Sequence, residues 1–375
     1  MRIAVNTRLL LKNKLEGIGW FTYESLKRIV VSHPEHDFYF IFDRKYDNEF
    51  VFADNVTPVV IGPPARHPVL HFIWYEISIP RMLKKIRPDI FISPDAFLSL
   101  STSFPELIVI HDLNFEHFPK HMPWQWRKYY KFFTPRFAKK AKRIATVSEF
   151  SKMDIAKQYG INPDKVDVVY NGSSNMFRPL SDKEKKETRN KFSDGNDYFV
   201  FVGALNPRKN LSNIFKAFDN FCSSNKTNTK FVVVGEKMYW SDDIKATFEK
   251  MNFGSDVIFT GRLEPEALSM VVGSAIALVY TSFFEGFGIP IVEAYNAEVP
   301  VITSNVTSMP EIAGDAALLV DPGSVAQIAK AMQRISDDNE LCASLVEKGK
   351  KRRLDFTWER TAENMWKSIE KTILN

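Results

Sequence analysis

Two glutamates that flank a glycine-rich turn are the first residues of chemical interest in this sequence. Glu285 and Glu293 stand eight positions apart in the stretch SFFEGFGIPIVEA. The pattern predicts a buried strand before Glu285, a turn opened by Gly286 and Gly288, and a helix whose first turn carries Glu293. Carboxylates accept hydrogen bonds from hydroxyl groups, and backbone N–H groups in such a turn can hold an anion. Because a carboxylate in a first helical turn also stabilises the helix dipole, Glu293 has a purely structural interpretation as well.

Two adjacent cations follow another predicted strand. In VFVGALNPRKNL, Arg208 and Lys209 stand where the strand gives way to a helix. Positive charge at a helix N-terminus opposes the helix dipole, so the pair needs a compensating anion, for which a diphosphate is suitable. An exposed charged turn is the alternative. A ligand with an anionic centre and hydroxyl-rich ends would use these cations and both glutamates, and a nucleotide sugar is such a ligand.

A histidine stands at the end of a third predicted strand, LIVIHD. His111 is placed for polar chemistry there, and Asp112 is expected either to orient it or to cap the segment that follows. His117 and His121 are close in sequence, but spacings of six and four on a proline-flanked loop do not match the usual ligand spacings of a zinc site. We therefore predict no metal site here.

Two glycines, Gly17 and Gly19, lie between the first predicted strand and a helix, in the sequence GIGWFT. Glycines at this position let a ligand approach the backbone at a helix N-terminus. A plain tight turn explains them equally well. The third glycine of the dinucleotide-binding pattern is missing, which disfavours a dehydrogenase.

These residues all follow short apolar runs, which occur in two sets. The first set extends from RIAVN to VDVVYN, before residue 175, and the second from YFVFVG to ALLV, after residue 197. Helical spacing between the runs indicates βαβ units and parallel sheets. With 375 residues, the chain is too long for one ordinary core. We predict two doubly wound α/β domains that meet near residues 175–197, with ligands at the carboxyl ends of the strands.

Composition narrows the class of protein. The formal net charge is only +5, so nucleic acid is not required as a partner. Two cysteines far apart, Cys222 and Cys342, favour a reducing, cytoplasmic setting without a structural zinc site. We see no signal peptide at the N-terminus and no apolar run long enough for a transmembrane helix. Any membrane association is therefore expected to be peripheral, on the inner face.

Taken in order, the motifs resemble those of the retaining glycosyltransferases of family 4, which have the GT-B fold. The most specific element is the pair of glutamates separated by seven residues. The supporting motifs are GIGW, IHDLNF, VSEFSK, VVYNG, GALNPRKNL and PVITSNVTSMPEIAGDAALLVDP. The resemblance implies two Rossmann-like domains that face each other across a cleft. Residues 1–177 would form the acceptor-side domain, residues 178–357 the nucleotide-sugar domain, and residues 358–375 a helix that crosses back to the first domain.

The resemblance also implies roles for single residues. His111 and Glu285 would be the catalytic pair, contacting the transferred sugar near the reacting carbon and orienting it. Among the donor-binding residues, Glu293 would hold the ribose, and the amides of Phe287, Gly288 and Ile289 would hold the hexose. Arg208 and Lys209 would bind the diphosphate, with Gly17 and Gly19 in the loop over the phosphates. Arg262 would lie beside the base.

The family transfers a hexose with retention of anomeric configuration and needs no metal, because cations and helix dipoles neutralise the leaving diphosphate. No cofactor other than the nucleotide-sugar donor is expected. The variant PRKNL resembles a mannosyltransferase branch that uses GDP-mannose, and a UDP-hexose (glucose, GlcNAc or galactose) is the alternative donor. The chain departs from the family at two positions. Ala204 stands where many relatives carry arginine, and Glu298 stands where many carry glycine.

Between residues 120 and 143 the chain has nine lysines and arginines, no acidic residue and seven aromatic residues. As a helix, this segment places Trp126, Tyr130, Phe133 and Phe137 on one face. It is either a core-packing helix with a basic solvated side or a segment that meets anionic lipid or a polyprenyl-diphosphate-linked saccharide acceptor. Nucleic acid is not expected, because no nucleic-acid motif accompanies the charge.

Two other classes of function remain open. A sugar-nucleotide 2-epimerase of similar fold would need more carboxylates and a histidine around the leaving nucleotide. A non-catalytic nucleotide-sugar binder would not need both glutamates, the histidine and the cation pair. We therefore expect a transferase of polysaccharide, glycolipid or lipopolysaccharide biosynthesis.

Overall fold

The computed structural model describes residues 1–225, 228–236 and 240–374, and the side chain of residue 121 lies outside this description. The chain divides into two units. The first comprises Met1–Gly172 and Trp358–Asn375, and the second comprises Ser173–Thr357. The divisions expected from the sequence were after residues 177 and 357.

The first unit is built on a parallel sheet. Its strands are β1 (Arg2–Asn6), β2 (Asp37–Phe42), β3 (Val56–Val60), β4 (Ile90–Ser93), β5 (Glu106–Val109), β6 (Arg143–Thr146) and β7 (Val166–Val168). Among the described residues they stand in the order β3-β2-β1-β4-β5-β6-β7. The chain changes its winding direction between β1 and β4, which are neighbours in the sheet. The carboxyl ends of these two strands therefore lie side by side.

The strand β3 is not evident from the sequence. Its sequence, VTPVV, contains Pro58 and lacks a clear alternation of apolar and polar residues. Proline cannot donate to a neighbouring strand, but β3 is at the edge of the sheet and pairs only with β2 among the described strands. An edge position tolerates the missing donor.

Helices cover both faces of this sheet. They are α1 (Gly17–Ser32), α2 (Pro68–Ile73), α3 (Ile79–Ile86), α4 (Asn114–His117), α5 (Trp124–Lys140) and α6 (Glu149–Tyr159), and a π-helical turn, Trp74–Ser78, joins α2 to α3. Alternation along β1 divides its side chains between two cores. Ile3 and Val5 pack in one cluster and Ala4 in the other, as the period of two in a strand requires.

The second unit contains a second parallel sheet. Its strands are β8 (Tyr198–Val202), β9 (Lys230–Val234), β10 (Val257–Gly261), β11 (Ala277–Tyr280), β12 (Val301–Ser304) and β13 (Leu318–Val320). Within the described ranges their order is β10-β9-β8-β11-β12-β13. The winding direction changes between β8 and β11, so the loops that follow these two strands are neighbours.

The helices of the second unit connect these strands, and a last helix returns to the first unit. The helices of the second unit are α7 (Asp182–Ser193), α8 (Leu211–Asn225), α9 (Asp242–Glu249), α10 (Pro265–Gly273), α11 (Ile289–Asn296), α12 (Met309–Ala313), α13 (Val325–Asp337) and α14 (Asn339–Arg352). The last helix, α15 (Trp358–Leu374), belongs to the first unit. Helix α15 packs against α1, where Trp366 and Ile369 share a core with Ile29. In the described part of the chain, we find no helix with the length and apolar character that crossing a membrane requires.

The unusual residue Glu298 has a clear local structure. Its φ is +57°, in the left-handed region that glycine adopts without strain. The carboxylate compensates by contacting two cations of the following helical segment, with Lys350 Nζ at 3.2 Å and Arg353 Nη2 at 3.8 Å. The turn therefore forms with glutamate in place of glycine.

Candidate functional site

The loop after β8 is held in one conformation by two asparagines. Asn206 accepts a hydrogen bond from the backbone of Lys209 and so caps a 3₁₀ turn. Asn210 takes a left-handed conformation, with φ +65°, and its amide donates to the carbonyl oxygens of Thr281 (2.9 Å) and Pro322 (2.7 Å). Because these carbonyls follow β11 and β13, Asn210 ties the loop to the neighbouring strand ends.

Both cations of this loop contact one carboxylate. Arg208 Nη1 lies 2.9 Å from Glu285 Oε2, and Lys209 Nζ lies 2.7 Å from Glu285 Oε1. Lys209 Nζ also donates to the hydroxyl of Tyr280 at 2.6 Å. We call these four residues the Glu285 cluster. The anion that the sequence analysis required for the two cations is thus supplied within the chain by Glu285.

The Glu285 cluster contains more positive than negative charge. Burial would raise the pKa of Glu285, which is 7% exposed, but the charges and hydrogen bonds of Lys209 and Arg208 outweigh burial and lower it to about 2. Glu285 is therefore ionised at neutral pH. One negative charge faces two positive charges, so the cluster keeps an excess of one positive charge with which to attract an anionic ligand.

The turn after Glu285 leads directly into α11. Gly288 caps the helix with φ +107°, and a Cβ there would lie 3.1 Å from Ile291, so only glycine fits without strain. Ser308 Oγ lies within 3.0 Å of the carbonyl oxygens of Glu285 and Phe287, which orients the turn. With Ile289 as its first residue, α11 begins beside the cluster, and amides in its first turn have no acceptor within the helix.

Glu293 lies one turn into α11, and its chemistry differs from that of Glu285. Burial raises the pKa of Glu293 to about 8, so in the free protein it is largely protonated at pH 7. Burial and the negative charges of both glutamates raise the pKa of Tyr280, which places this tyrosine within the electrostatic influence of each. The structure thus brings together Arg208, Lys209 and Glu285, with Glu293 on the adjoining helix.

Arg262 is not part of this cluster. It follows β10, the edge strand, which is separated from β11 by β9 and β8. Its side chain is exposed and forms no ion pair with any described residue. Its predicted place beside the base stays a prediction.

In the first unit, His111 follows β5 by two residues. Its Nε2 is 2.9 Å from the carbonyl oxygen of Pro94, and its ring packs edge-on against Phe21 at 5.0 Å. Burial lowers the pKa of His111, so the ring is neutral at pH 7. Because a carbonyl can only accept, the proton is on Nε2 and Nδ1 is the acceptor. Asp112 accepts from the backbone of Asn114 at 2.9 Å, which makes it a cap of the following segment.

Beside His111 lies a buried polar network that the sequence analysis missed. Asn6 Nδ2 donates to Tyr75 Oη (2.7 Å), Ser93 Oγ (3.0 Å) and Asp95 Oδ1 (2.9 Å). Arg8 forms an ion pair with Asp95. We call these five residues the Asp95 cluster. Burial would raise the pKa of Asp95, but Arg8 and the hydrogen bonds hold it below its ordinary value.

The signal for this network was present in the sequence. Asn6 and Arg8 end or follow β1, and Ser93 and Asp95 end or follow β4, so all four lie at strand ends. Only the strand order shows that these two ends are adjacent. Asp95 also follows Pro94, the residue whose carbonyl contacts His111, so the ion pair with Arg8 fixes the backbone on which His111 rests.

The two glycines at the start of α1 are not equivalent. A Cβ at Gly19 would lie 3.1 Å from the carbonyl oxygen of Leu9 and 3.2 Å from the side chain of Leu15, so Gly19 permits a close approach of the helix to the preceding loop. A Cβ at Gly17 would meet nothing within 4 Å. Packing therefore explains Gly19 but does not explain Gly17.

The absence of a metal site at the histidines near His111 stays a prediction. His117 Nε2 lies 2.8 Å from Asp154 Oδ2, and the side chain of His121 lies outside the described residues. In the described part of the chain, no three histidine, cysteine or carboxylate side chains converge around His111 or His117.

Comparison with known proteins gives two family matches. The profile described as Glycosyl transferases group 1 matches residues 182–352, and Glycosyltransferase Family 4 matches residues 28–173. O-antigen chain mannosyltransferase B of Escherichia coli is 26% identical over 364 residues, which cover 93% of this chain and 94% of that protein. O-antigen chain mannosyltransferase RfbU of Salmonella typhimurium is 28% identical over 61% of this chain and 60% of its own length.

Solved structures show the same fold. A glycosyltransferase from Rickettsia africae has a TM-score of 0.74 at 16% identity, covering 100% of this chain and 98% of its own. WaaG, a glycosyltransferase involved in lipopolysaccharide biosynthesis, has a TM-score of 0.74 at 15% identity, covering 97% and 98%. Both predicted features, the GT-B fold and the family, are confirmed. With two parallel sheets and matches along both units, this chain belongs to the family 4, group 1 glycosyltransferases.

Proposed function

We propose that this glycosyltransferase transfers mannose from GDP-mannose, with retention of configuration, to a saccharide or lipid-linked saccharide in polysaccharide or glycolipid biosynthesis. The observation that carries the proposal is the Glu285 cluster. It places an ionised carboxylate and two cations, with one excess positive charge, beside the start of α11. An anionic diphosphate flanked by sugars is the ligand for which this arrangement is suited.

The choice of mannose rests on the relatives. The two described above are both named as O-antigen mannosyltransferases, and the Escherichia coli protein matches along nearly the whole of this chain. At 26% and 28% identity, the donor is a proposal that an experiment decides. The UDP-hexoses are therefore the alternative donors that the experiment must include.

In the proposed reaction, the bond between the anomeric carbon and the diphosphate breaks while the acceptor oxygen bonds to the same face of the sugar. The acceptor proton passes to the leaving phosphate oxygen. Arg208 and Lys209 stabilise the charge that develops on the diphosphate, which is the usual role of fixed cations at a leaving group. Glu285 holds both cations in place and orients the hexose hydroxyls. The contact of His111 with the transferred sugar stays a prediction from the family resemblance.

The decisive test is donor hydrolysis and thermal shift with GDP-mannose, UDP-glucose, UDP-galactose and UDP-GlcNAc, each in EDTA and with added Mg²⁺. We expect GDP-mannose to be turned over equally in both conditions, and the product anomer, determined by NMR, to match the donor. Turnover of only a UDP-sugar would show that the donor is a UDP-hexose instead of GDP-mannose. Dependence on Mg²⁺ would refute the metal-independent chemistry. Glu285→Gln should abolish turnover, whereas Glu266→Gln, on an exposed position of α10, should not.

We also propose that the first unit contacts an anionic membrane surface through α5. Four exposed residues of this helix follow one another at intervals of four, alternating aromatic and basic: Trp124, Lys128, Phe132 and Arg136. Trp124 and Phe132 are 59% and 52% exposed, with Lys128 and Arg136 over their rings. The other face packs inward, where Phe137 is buried and Trp126, Tyr130 and Phe133 lie against the core. One face of α5 therefore supports the interpretation as a core-packing helix, and the opposite face supports contact with anionic lipid.

Vesicle sedimentation tests this contact. Binding to vesicles with phosphatidylglycerol should exceed binding to pure phosphatidylcholine and should weaken with salt. The double change Trp124→Ser and Phe132→Ser should remove it. Met153→Ser, which removes another exposed apolar side chain of the same unit, is the matched control. Equal binding to both kinds of vesicle would contradict the proposal.

A further inference from the structure

A group of side chains far in sequence from the predicted site converges at the end of α1. His33, Glu35 and His36 lie in the turn that joins α1 to β2, and their ligand atoms all lie within 4.8 Å of one another. Both imidazoles approach the same carboxylate oxygen. Nδ1 of His33 is 3.6 Å, and Nε2 of His36 is 3.3 Å, from Glu35 Oε1.

These distances are informative because they are long for hydrogen bonds. An N–H···O bond has a length of about 2.7–3.2 Å, so neither contact is a good one. In a tetrahedral zinc site with bonds of ~2.0–2.1 Å, neighbouring ligand atoms are about 3.3–3.4 Å apart. The observed separations of 3.3 and 3.6 Å are close to the edge of such a tetrahedron.

The surrounding structure holds the three ligands in place. The side-chain nitrogen of Asn55 lies 3.1 Å from the carbonyl oxygens of both His33 and His36. The two rings are parallel to within 3°, and both lie against the indole of Trp366 in α15, with centroids at 3.5 and 5.3 Å. A turn fixed by contacts with both Asn55 and Trp366 loses little freedom when a metal binds.

We propose that His33, Glu35 and His36 form a binding site for Zn²⁺ or a similar divalent transition-metal ion. Two imidazoles and one carboxylate are a common zinc ligand set, and a water would complete the tetrahedron on the exposed side of Glu35. The ion would bind on the α1–β2 turn, beside Trp366 of α15. This site is separate from the Glu285 cluster, so its test does not depend on the proposed transfer reaction.

Calorimetric titration of the full chain with ZnCl₂ at pH 7.5 tests the site. We expect one saturable ion per chain, and a loss of affinity of at least about tenfold in His33→Gln and in Glu35→Gln. His67→Asn, which changes an exposed histidine elsewhere in the same unit, should bind like the wild type. Binding should weaken at acidic pH, because the imidazoles must be neutral to bind the ion.

A spectroscopic measurement separates a formed site from unspecific binding. Co²⁺ in a tetrahedral site absorbs visible light far more strongly than aqueous Co²⁺, so the wild type should develop this absorption and Glu35→Gln should not. Saturable zinc should also raise the melting temperature of the wild type alone. The absence of a saturable site in the wild type, or unchanged affinity in both His33→Gln and Glu35→Gln, would overturn the proposal.

Discussion

The two units place an acid and a base at equivalent points of their sheets, and the two pairs differ in charge. In the first unit Arg8 follows β1 and pairs with Asp95 after β4. In the second, Arg208 and Lys209 follow β8 and pair with Glu285 after β11. Each location is the point where the winding of the sheet changes direction. A parallel α/β sheet leaves strand-end loops unpaired at this point, which is why polar side chains gather there.

The difference is in how completely each acid is neutralised. Asp95 is paired with one arginine and surrounded by Asn6, Ser93 and Tyr75, so its cluster has no excess charge and its groups are mutually satisfied. Glu285 faces two cations, so the Glu285 cluster has an excess of one positive charge. A satisfied buried cluster gives rigidity, whereas a cluster with excess charge can attract a ligand of opposite sign. We therefore expect changes in the first to reduce stability and changes in the second to reduce activity.

The largest effect is expected for Asp95→Asn. It leaves the buried guanidinium of Arg8 without a counter-charge, which should lower the free energy of unfolding by about 3–5 kcal/mol. Six of the seven tryptophans belong to the first unit, so intrinsic fluorescence in urea follows its unfolding. Asp47→Asn, which breaks the exposed pair with Lys12, should leave the urea midpoint unchanged. A midpoint for Asp95→Asn equal to that of the wild type would show that the cluster does not stabilise the unit.

Lys209→Met tests the second cluster. Losing one of the two cations that we propose to face the leaving group should lower kcat about 10²–10³-fold, since single stabilising contacts in a transition state have this size. The melting temperature should change little, because Arg208 still neutralises Glu285. Lys245→Met on the exposed side of α9 serves as the control. Turnover within threefold of the wild type would remove Lys209 from the proposed site.

Glu293 should give the second cluster a pH dependence. If the carboxylate form holds the ribose hydroxyls, a pKa of about 8 in the free protein means that donor affinity increases about tenfold between pH 7 and pH 9. Donor KM measured across this range should fall for the wild type and stay flat for Glu293→Gln. Parallel profiles for the two proteins would refute this role.

Glu293 should affect the stability of the protein in the opposite direction to donor affinity as the pH rises. The folded-state pKa of Glu293 is raised, so its contribution to stability is fully present below its ordinary pKa and is lost as pH rises through about 8. Without a ligand, the wild type should therefore lose stability relative to Glu293→Gln as the pH rises from about 5 to about 8, and the difference should stay constant above pH 8. Melting temperatures measured from about pH 5 to about pH 9.5 test this.

The smallest effect is expected at Gly17, and it tests whether the first unit also contributes to donor binding. Alanine at the first position of α1 meets no atom within 4 Å and favours the helix, so Gly17→Ala should keep or slightly raise the melting temperature. Donor KM should rise severalfold if phosphates occupy that space. Gly19→Ala should instead lower the melting temperature, because its Cβ crowds Leu9 and Leu15. An unchanged KM for Gly17→Ala would leave Gly17 as a plain turn residue.

Much of the fold was predictable because its strands are strongly apolar. The run RIAVN became β1, and the runs YFVFVG and ALLV contain β8 and β13. The strand β3 was missed because Pro58 is compatible with a strand only at a sheet edge, and edge position is a property of the assembled sheet. The sequence marks Glu298 only as a departure from glycine, because Lys350 and Arg353, which stabilise its turn, lie some fifty residues later.

The sequence by itself determined Glu285, Arg208 and Lys209 of the Glu285 cluster as candidates, and Glu293 beside it, because they lie in local motifs that begin where apolar runs end. It also determined that the chain has two parallel α/β units. The tertiary structure alone decided that Glu285 is the partner of the two cations, that half-buried Glu293 has no such partner among the described residues, and that Arg8 meets Asp95. Strand order and burial set these pairings, and both arise from contacts between segments distant in sequence, which local patterns do not encode.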